Sequence, residues 1–395
     1  MGEERKIFLK GLLVGIVILI WGYTVTNGAI ALQRRNQELT VTEKIDIIYS
    51  ILERSFVGEL DRGRIEDAMF SGMLYGVGDR YTSYMTAEEF ARFMELSSGA
   101  YEGIGAVVSR DDDGSVLVVS PYVGSPAYLA GILPGDRIIS VDGYDIRHQD
   151  LALTISMIRG PAGTSVELTI YREIESETFI VDIVRGLIEI PTVAHEMLET
   201  NIGYIKMSGF EVPTYDQFVN ALDELNDMGM EALIIDLRNN PGGRMDSVVR
   251  VTDRLVPEGI IVYTEDGSGN RRYMRSSRGH IGIPLVLLIN GNSASASEIL
   301  AGAVQDHQVG VLVGQQSFGK GSVQDIFPLP DGSAIRVTIA TYYTPLGNSI
   351  HEKGLTPDYV VPMDAALSAR ITQLTLEEDV QLQRAIEIAL DMLSP

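Results

Sequence analysis

Four apolar runs set the architecture of the second half of the chain: ALIIDL at 232–237, PLVLLI at 284–289, VGVLVG at 309–314 and AIRVTIATYY at 334–343. Each is short, with Gly, Pro, Asn or Asp within a few residues of either end, which is how strands read. Helical runs lie between several of them. A chain that alternates in this way buries both kinds of element in a layered α/β core. Residues 187–364 therefore read as one α/β domain.

Upstream the texture differs. Residues 99–186 alternate short runs (VLVVS, RIISVDG, SVELTIYR, TFIVDIV) with Gly, Asp and Pro turns. Two helices are expected among them. Ser125 reads as an N-cap, Pro126 as the first helical residue and Gly131 as the stop; a second helix covers 150–158. This is a compact β-rich domain. Residues 36–98 are helical in pattern. Ile45, Ile48, Leu52 and Phe56 share one face, Ala68, Met69 and Met73 follow on a second segment, and Thr86-Ala-Glu-Glu89 is a capping box opening a third. In the tail, 365–395, Thr375-Leu-Glu-Glu378 fits the same box and opens a packing or dimerising helix that runs to Leu390. The fold class is α/β (α+β) and multidomain.

Residues 11–32 form one apolar run without a charge. As a helix it spans roughly 30 Å, enough for a bilayer core. Arg5, Lys6 and Lys10 precede it and favour N-inside insertion. Residues 1–35 then form a cytoplasmic N-terminus and a transmembrane anchor, with the rest of the chain outside the cytoplasm. The alternative is a cleaved signal peptide, because Ala29-Ile-Ala31 resembles an A-x-A site, and a secreted product. The formal net charge of -23 opposes nucleic acid as a partner. The absence of cysteine excludes disulfides, thiolate nucleophiles and cysteine metal sites.

Chemistry concentrates in three segments. In Ile289-Asn-Gly-Asn-Ser-Ala-Ser-Ala-Ser-Glu298 a strand runs through tiny residues into a helix over 298–305. A serine there can present its hydroxyl beside helix N-terminal N–H groups. Ser293, Ser295 and Ser297 compete for that role, and Ser295 with Glu298 also fits a plain capping box. A serine needs a base. His307 lies too far along the helix, whereas His148, His195, His280 and His351 are not excluded by spacing. Lys320, one of six lysines against 25 arginines, lies between Gly319 and Gly321. If buried it would be tuned toward neutrality, as arginine cannot be; otherwise it is a hairpin lysine in solvent. Gln324 could orient it, given a bend that Gly321 permits. The third segment, Asp236-Leu-Arg-Asn-Asn-Pro-Gly-Gly243, is either an ordinary loop or a source of exposed backbone donors.

Together these segments resemble the carboxy-terminal processing peptidases, or tail-specific proteases. The likeness rests on SASASEILAGAVQDH (293–307), GQQSFGKGSVQ (314–324), IIDLRNNPGG (234–243) and YYTPLGNSIHEKGLTPDYVV (342–361). DRYTSYMTAEEF (79–90) matches the helical region ahead of the family's PDZ domain. The likeness covers about 40–365. It implies a serine endopeptidase that cuts exported proteins near their C-termini. The fold implied is a crotonase-like α/β protease core with an inserted PDZ domain at 99–186. Ser295 becomes the nucleophile, Lys320 the general base and Gln324 its support. Ala296 and one of Gly242 and Gly243 become the oxyanion donors. In the PDZ domain, Gly103, Ile104, Gly105 and Ala106 become the carboxylate loop, a peptide adds as a strand beside 107–109, and Arg159 helps couple ligand to the core. No metal or organic cofactor is implied. The partners implied are proteins with exposed apolar C-terminal tails, a second copy of the chain in a homodimer, and a regulatory protein acting through PDZ gating. The competing readings are a non-catalytic PDZ scaffold or adaptor and an acyl-CoA enzyme. Intact Ser295 and Lys320 count against the first, and the lack of a nucleotide signature against the second.

Overall fold

The computed structural model describes residues 39–394 apart from Asp112 and Glu199, together with Gly2, Gly15 and Trp21. The apolar run at 11–32 lies outside the described residues but for Gly15 and Trp21. Among the described residues no helix is long and apolar enough to cross a membrane.

The chain divides into two compact units between Met69 and Phe70. In the first, the helix Val41–Ser55 opens on a capping box: the Thr40 hydroxyl accepts the Glu43 N–H, and the Glu43 carboxylate accepts the Thr40 N–H. This helix buries no side chain fully. The division itself falls inside the helix Arg62–Tyr75.

The second unit is built on a six-stranded sheet. Its strand order is Val193–Leu198, Ile202–Met207, Ala232–Asp236, Leu285–Ile289, Val311–Gly314 and Tyr359–Val360. Only the first pair is antiparallel. The central strands are buried on both faces, as parallel strands require. Leu233, Ile235, Leu285 and Leu287 face a cluster with helices Thr214–Asp227, Met245–Asp253 and Ala296–Asp306. Ala232, Ile234, Val286 and Leu288 face Ala385, Ile388 and Ala389 of the tail helix Val380–Leu393.

That tail helix starts later than its sequence suggests. Thr375–Glu378 forms a turn in which the Glu378 carboxylate accepts the Thr375 N–H, and the N-cap is Asp379, which accepts the Leu382 N–H. Asp379 is placed by a second interaction. Its carboxylate takes two bonds of 2.8 Å from Arg238, and Arg238 also donates to Asp236 at 2.9 and 2.7 Å. All three side chains are buried. Breaking such a pair from one side costs about 3–5 kcal/mol, so the tail helix is pinned to the end of the Ala232–Asp236 strand.

A second sheet carries Ser83–Met85, Ala334–Tyr343, Gly259–Asp266 and Arg271–Ser276, with Ser322–Pro328 paired to Ala334–Tyr343. The strand Ser83–Met85 belongs to a segment that reads as helical lead-in. It pairs with 334–336 and ties that segment to the core. Thr86 and Glu89 then form the expected capping box of the helix Ala87–Ser98.

The β-rich domain follows its sequence closely. Ala106–Arg110, Val116–Pro121, Arg137–Val141, Ser165–Arg172 and Glu177–Val184 form its sheet, in that order. Ser125 caps Pro126–Leu129, and Asp150 caps Leu151–Ile158. Ala100–Gly103 and Gly186–Glu189 pair antiparallel, so the chain enters and leaves this domain through one two-stranded neck.

Candidate active site

The strand Leu285–Ile289 ends in the turn 290–295, and the helix Ala296–Asp306 begins there. The structure separates the three serines. The Ser293 hydroxyl donates to the Leu237 carbonyl at 2.7 Å and accepts the Asn290 N–H at 2.9 Å. The Ser297 hydroxyl donates to the Asn240 carbonyl at 2.9 Å. Both side chains are buried, and both pin the turn to the segment after Asp236. Ser295 alone reaches solvent. Its backbone, at φ 56° and ψ -112°, lies where residues with a Cβ are rarely found. Such strain persists only where the surroundings enforce it.

Much of that enforcement comes from Glu298. Its buried carboxylate accepts the Ser295 N–H at 2.9 Å, which is the return half of the expected capping box. It also reaches the lysine loop, accepting the Ser317 hydroxyl at 2.5 Å, the Gly319 N–H at 2.7 Å and the Lys320 N–H at 2.9 Å. One carboxylate with four donors clamps the serine turn to the lysine loop. The Tyr342 hydroxyl reinforces the clamp by donating to the carbonyls of Ser295 (3.1 Å) and Lys320.

Lys320 is half-buried, not a hairpin lysine in open solvent. Burial pulls its ammonium below the ordinary lysine value, Arg336 pushes the same way, and Glu298 opposes them. Its Nζ lies 5.1 Å from the centre of the Tyr81 ring. Among the described residues Nζ makes no hydrogen bond, to Ser295 Oγ or to any other group.

The glycine loop lies directly against the serine turn. A Cβ at Gly242 would fall 2.7 Å from the Ala294 carbonyl oxygen and 2.8 Å from both Ala296 N and Ser295 Cβ. The Gly242 N–H is committed to Asn240 Oδ1 at 2.9 Å, and its carbonyl accepts the Phe210 N–H. Among the described residues, the N–H groups of Gly243 and Ala296 donate to nothing.

Gln324 is placed differently from the simplest expectation. Its Nε2 donates to Ser322 Oγ at 2.9 Å and to Thr338 Oγ1 at 3.3 Å, not to Lys320. The pairing of this strand slips between Val323 and Gln324, beyond the glycine expected to supply the bend. Of the histidines, His307 is committed to the Ile260 carbonyl and His195 faces Glu224. The His351 ring lies 6.4 Å from that of Tyr81, which itself neighbours Lys320. Three residues in the bonded surround of Lys320 and Gln324 are not singled out by sequence reading. Glu298 shows there only as a capping partner. Asp79 and Tyr81 come from a segment whose three-residue strand is too short for periodicity to reveal.

In the β-rich domain, Ala106–Arg110 is an edge strand, so its outer side is open to a further strand. Before it, the carbonyls of Ile104 and Gly105 accept from Ala127 N–H and from Tyr122 N–H and Ser125 Oγ, whereas their own N–H groups donate to nothing among the described residues. Gly103 ends the neck strand, and its partner there is Gly186. Arg159 pairs with Glu95 of the helix Ala87–Ser98 at 2.9 Å and covers the Tyr101 ring at 4.4 Å, so it braces the neck rather than reaching the serine turn.

A model of peptidase family S41 matches residues 201–361, and a PDZ-domain model matches residues 117–172. The fold and these matches define a serine-type peptidase that carries a PDZ domain. A carboxy-terminal-processing protease of Bartonella bacilliformis is 35% identical over 370 residues, covering 90% of this chain and 82% of that protein. Carboxy-terminal processing protease CtpA of Bacillus subtilis is 32% identical over 361 residues, covering 90% and 77%. A solved S41-protease structure from Bacteroides fragilis matches with a TM-score of 0.50 at 15% identity, over 86% of this chain and 93% of that one, a likeness of fold alone. The chain belongs to the carboxy-terminal-processing protease family.

Proposed function

We propose that Ser295 is the nucleophile and Lys320 the general base of a peptide hydrolysis that passes through an acyl-enzyme. Neutral Lys320 Nζ takes the Ser295 proton, and Oγ attacks the scissile carbonyl. The oxyanion is received by the N–H groups of Ala296 and Gly243, the two donors left uncommitted; Gly242 brings the backbone close but spends its N–H on Asn240. The Lys320 ammonium then protonates the leaving amine, and a water activated by the same Nζ releases the acyl group. The observation that carries this reading is the Glu298 clamp, which bonds the backbone of both residues with one buried carboxylate. A fluorophosphonate probe should label Ser295 and neither Ser293 nor Ser297 in peptide mass spectra, and the label should vanish in Ser295→Ala. Labelling confined to another serine would sink the assignment.

The PDZ domain, on this reading, receives the apolar C-terminal tail of a protein substrate. The tail carboxylate meets the free N–H groups of Ile104 and Gly105, and the tail adds as a strand beside Ala106–Arg110. Its neck, braced by Arg159 and Glu95, transmits occupancy to the protease core. The apolar run 11–32 tethers the chain to the cell membrane with the core outside the cytoplasm. N-terminal sequencing of the exported protein checks this: an intact N-terminus in the membrane fraction is expected, and a chain starting just after Ala31 would show cleavage instead.

A further inference from the structure

The side chain of Gln324 has two ends of opposite hydrogen-bonding character, and a residue far away in sequence decides which end faces where. Asp79 lies in the segment that leads into the short strand Ser83–Met85. Its Oδ2 accepts the hydroxyls of Thr82 and Thr338, each at 2.6 Å, and its Oδ1 accepts the Tyr81 N–H at 3.3 Å. Burial pushes this carboxyl up, but the hydrogen bonds from Thr338, Thr82 and the backbone outweigh it and hold it below its ordinary value. Asp79 is therefore ionised near neutral pH and can only accept. Thr338 has a single hydroxyl proton, and that proton is committed to Asp79. Toward Gln324 the Thr338 oxygen can then only accept, which it does from Nε2 at 3.3 Å, while Ser322 Oγ accepts from the same nitrogen at 2.9 Å. The donor end of the amide is thus turned to Thr338 and Ser322, and Oε1 is left as the free end. Among the described residues Oε1 accepts nothing, and Lys320 Nζ, a donor in either protonation state, donates to nothing.

We propose that Asp79 is a positioning residue for the base: through Thr338 it sets the polarity of the Gln324 amide, so that Oε1 is presented as acceptor to Lys320 Nζ–H and the single lone pair of the neutral Nζ is aimed at Ser295. This rests on the reading of Lys320 as general base. The same segment places the Tyr81 ring beside Nζ, and the Tyr81 carbonyl accepts Arg336 Nε at 3.1 Å, so one short stretch of chain touches the lysine surround at more than one point.

The test compares the full chain with Asp79→Asn, Thr338→Val, Thr338→Ser and the Asp79→Asn/Thr338→Val pair, using fluorescein-labelled casein as substrate across pH 6 to 11. The amide introduced by Asp79→Asn can donate to Thr338, which frees the Thr338 proton to turn toward Gln324 and lets the Gln324 amide reverse. Each of the two single disruptions is expected to lower kcat/KM about tenfold. Each should also move the acid limb of the pH profile to lower pH by about 0.5 unit, because the ammonium loses its carbonyl acceptor. Thr338→Ser keeps the hydroxyl and should stay within about twofold of the parent. The double variant should be no worse than either single one, since both break the same link. Thr338→Val leaves every charge in place, so a limb shift there cannot come from the lost Asp79 charge. Wild-type kcat/KM with an unmoved limb in Asp79→Asn overturns the proposal. So does a roughly hundredfold, additive loss in the double variant, which would mean independent structural damage. Lys320→Ala, run alongside, separates the two layers: cleavage surviving in that variant would overturn the general-base reading itself, whereas its loss beside an unaffected Asp79→Asn overturns only the relay.

Discussion

Replacing Lys320 by Arg should abolish cleavage while leaving the fold intact. The guanidinium keeps the positive charge and the long apolar stem, so the packing beside Tyr81 and the repulsion from Arg336 survive in kind. What it cannot do is give up a proton near neutral pH. The expected loss in kcat/KM is about 10³-fold or more, the range set by removing a general base from a serine nucleophile. Thermal unfolding should change little. The parent enzyme supplies the matching signature. Only the neutral amine accepts the serine proton, so kcat/KM should rise with pH through the Lys320 pKa and fall below it. That midpoint should lie under the ordinary lysine value of 10.5, because burial and Arg336 both disfavour the ammonium. An arginine variant within tenfold of the parent, or a kcat/KM that does not rise with pH, would remove Lys320 from the mechanism.

The second large effect is expected at a glycine that carries no functional side chain at all. Gly242 adopts φ 103°, and a methyl group there would meet the Ala294 carbonyl, Ala296 N and Ser295 Cβ at 2.7 to 2.8 Å. These are atoms of the turn that holds Ser295, all fixed by its backbone, so the methyl cannot be accommodated by rotating a side chain. Gly242→Ala should drive the glycine loop and the serine turn apart, and with them the N–H groups of Gly243 and Ala296. Losing oxyanion donors of this kind lowers kcat by about 10²–10³-fold. A control isolates the geometric cause. Gly229 also has a positive φ, of 86°, but a Cβ there meets nothing within 4 Å. Gly229→Ala should carry a similar backbone strain of about 1–2 kcal/mol and leave turnover unchanged. Equal activity in the Gly242 and Gly229 variants would show that the close approach of the two loops has no part in catalysis.

Several elements were legible because their causes are local. The runs at 232–237 and 284–289 are apolar throughout most of their length, and both became strands buried on two faces. Ser125, Asp150 and Thr86 cap the helices their spacing announces. In the tail the same local logic misplaced a boundary. Thr375 and Glu378 satisfy their capping pattern as a turn, while the helix waits for Asp379, which Arg238 holds from the far side of the sequence. The family assignment was equally legible, since it needs only the order of short motifs along the chain.

What the chain's letters could not do was choose among neighbours of the same kind. Ser293, Ser295 and Ser297 are alike as residues, and they come to differ only because the carbonyls of Leu237 and Asn240 arrive to take the hydroxyls of the first and last. Gly242 and Gly243 are told apart by one side chain, that of Asn240. Lys320 becomes tunable only once Tyr81 and Arg336 are folded around it. The sequence alone determined the two domain textures, the helix caps and the family, because periodicity and capping act within a few residues. The tertiary structure decided which serine is exposed, which N–H groups stay free and what surrounds the lysine, because burial and donor commitment depend on groups brought together from distant parts of the chain.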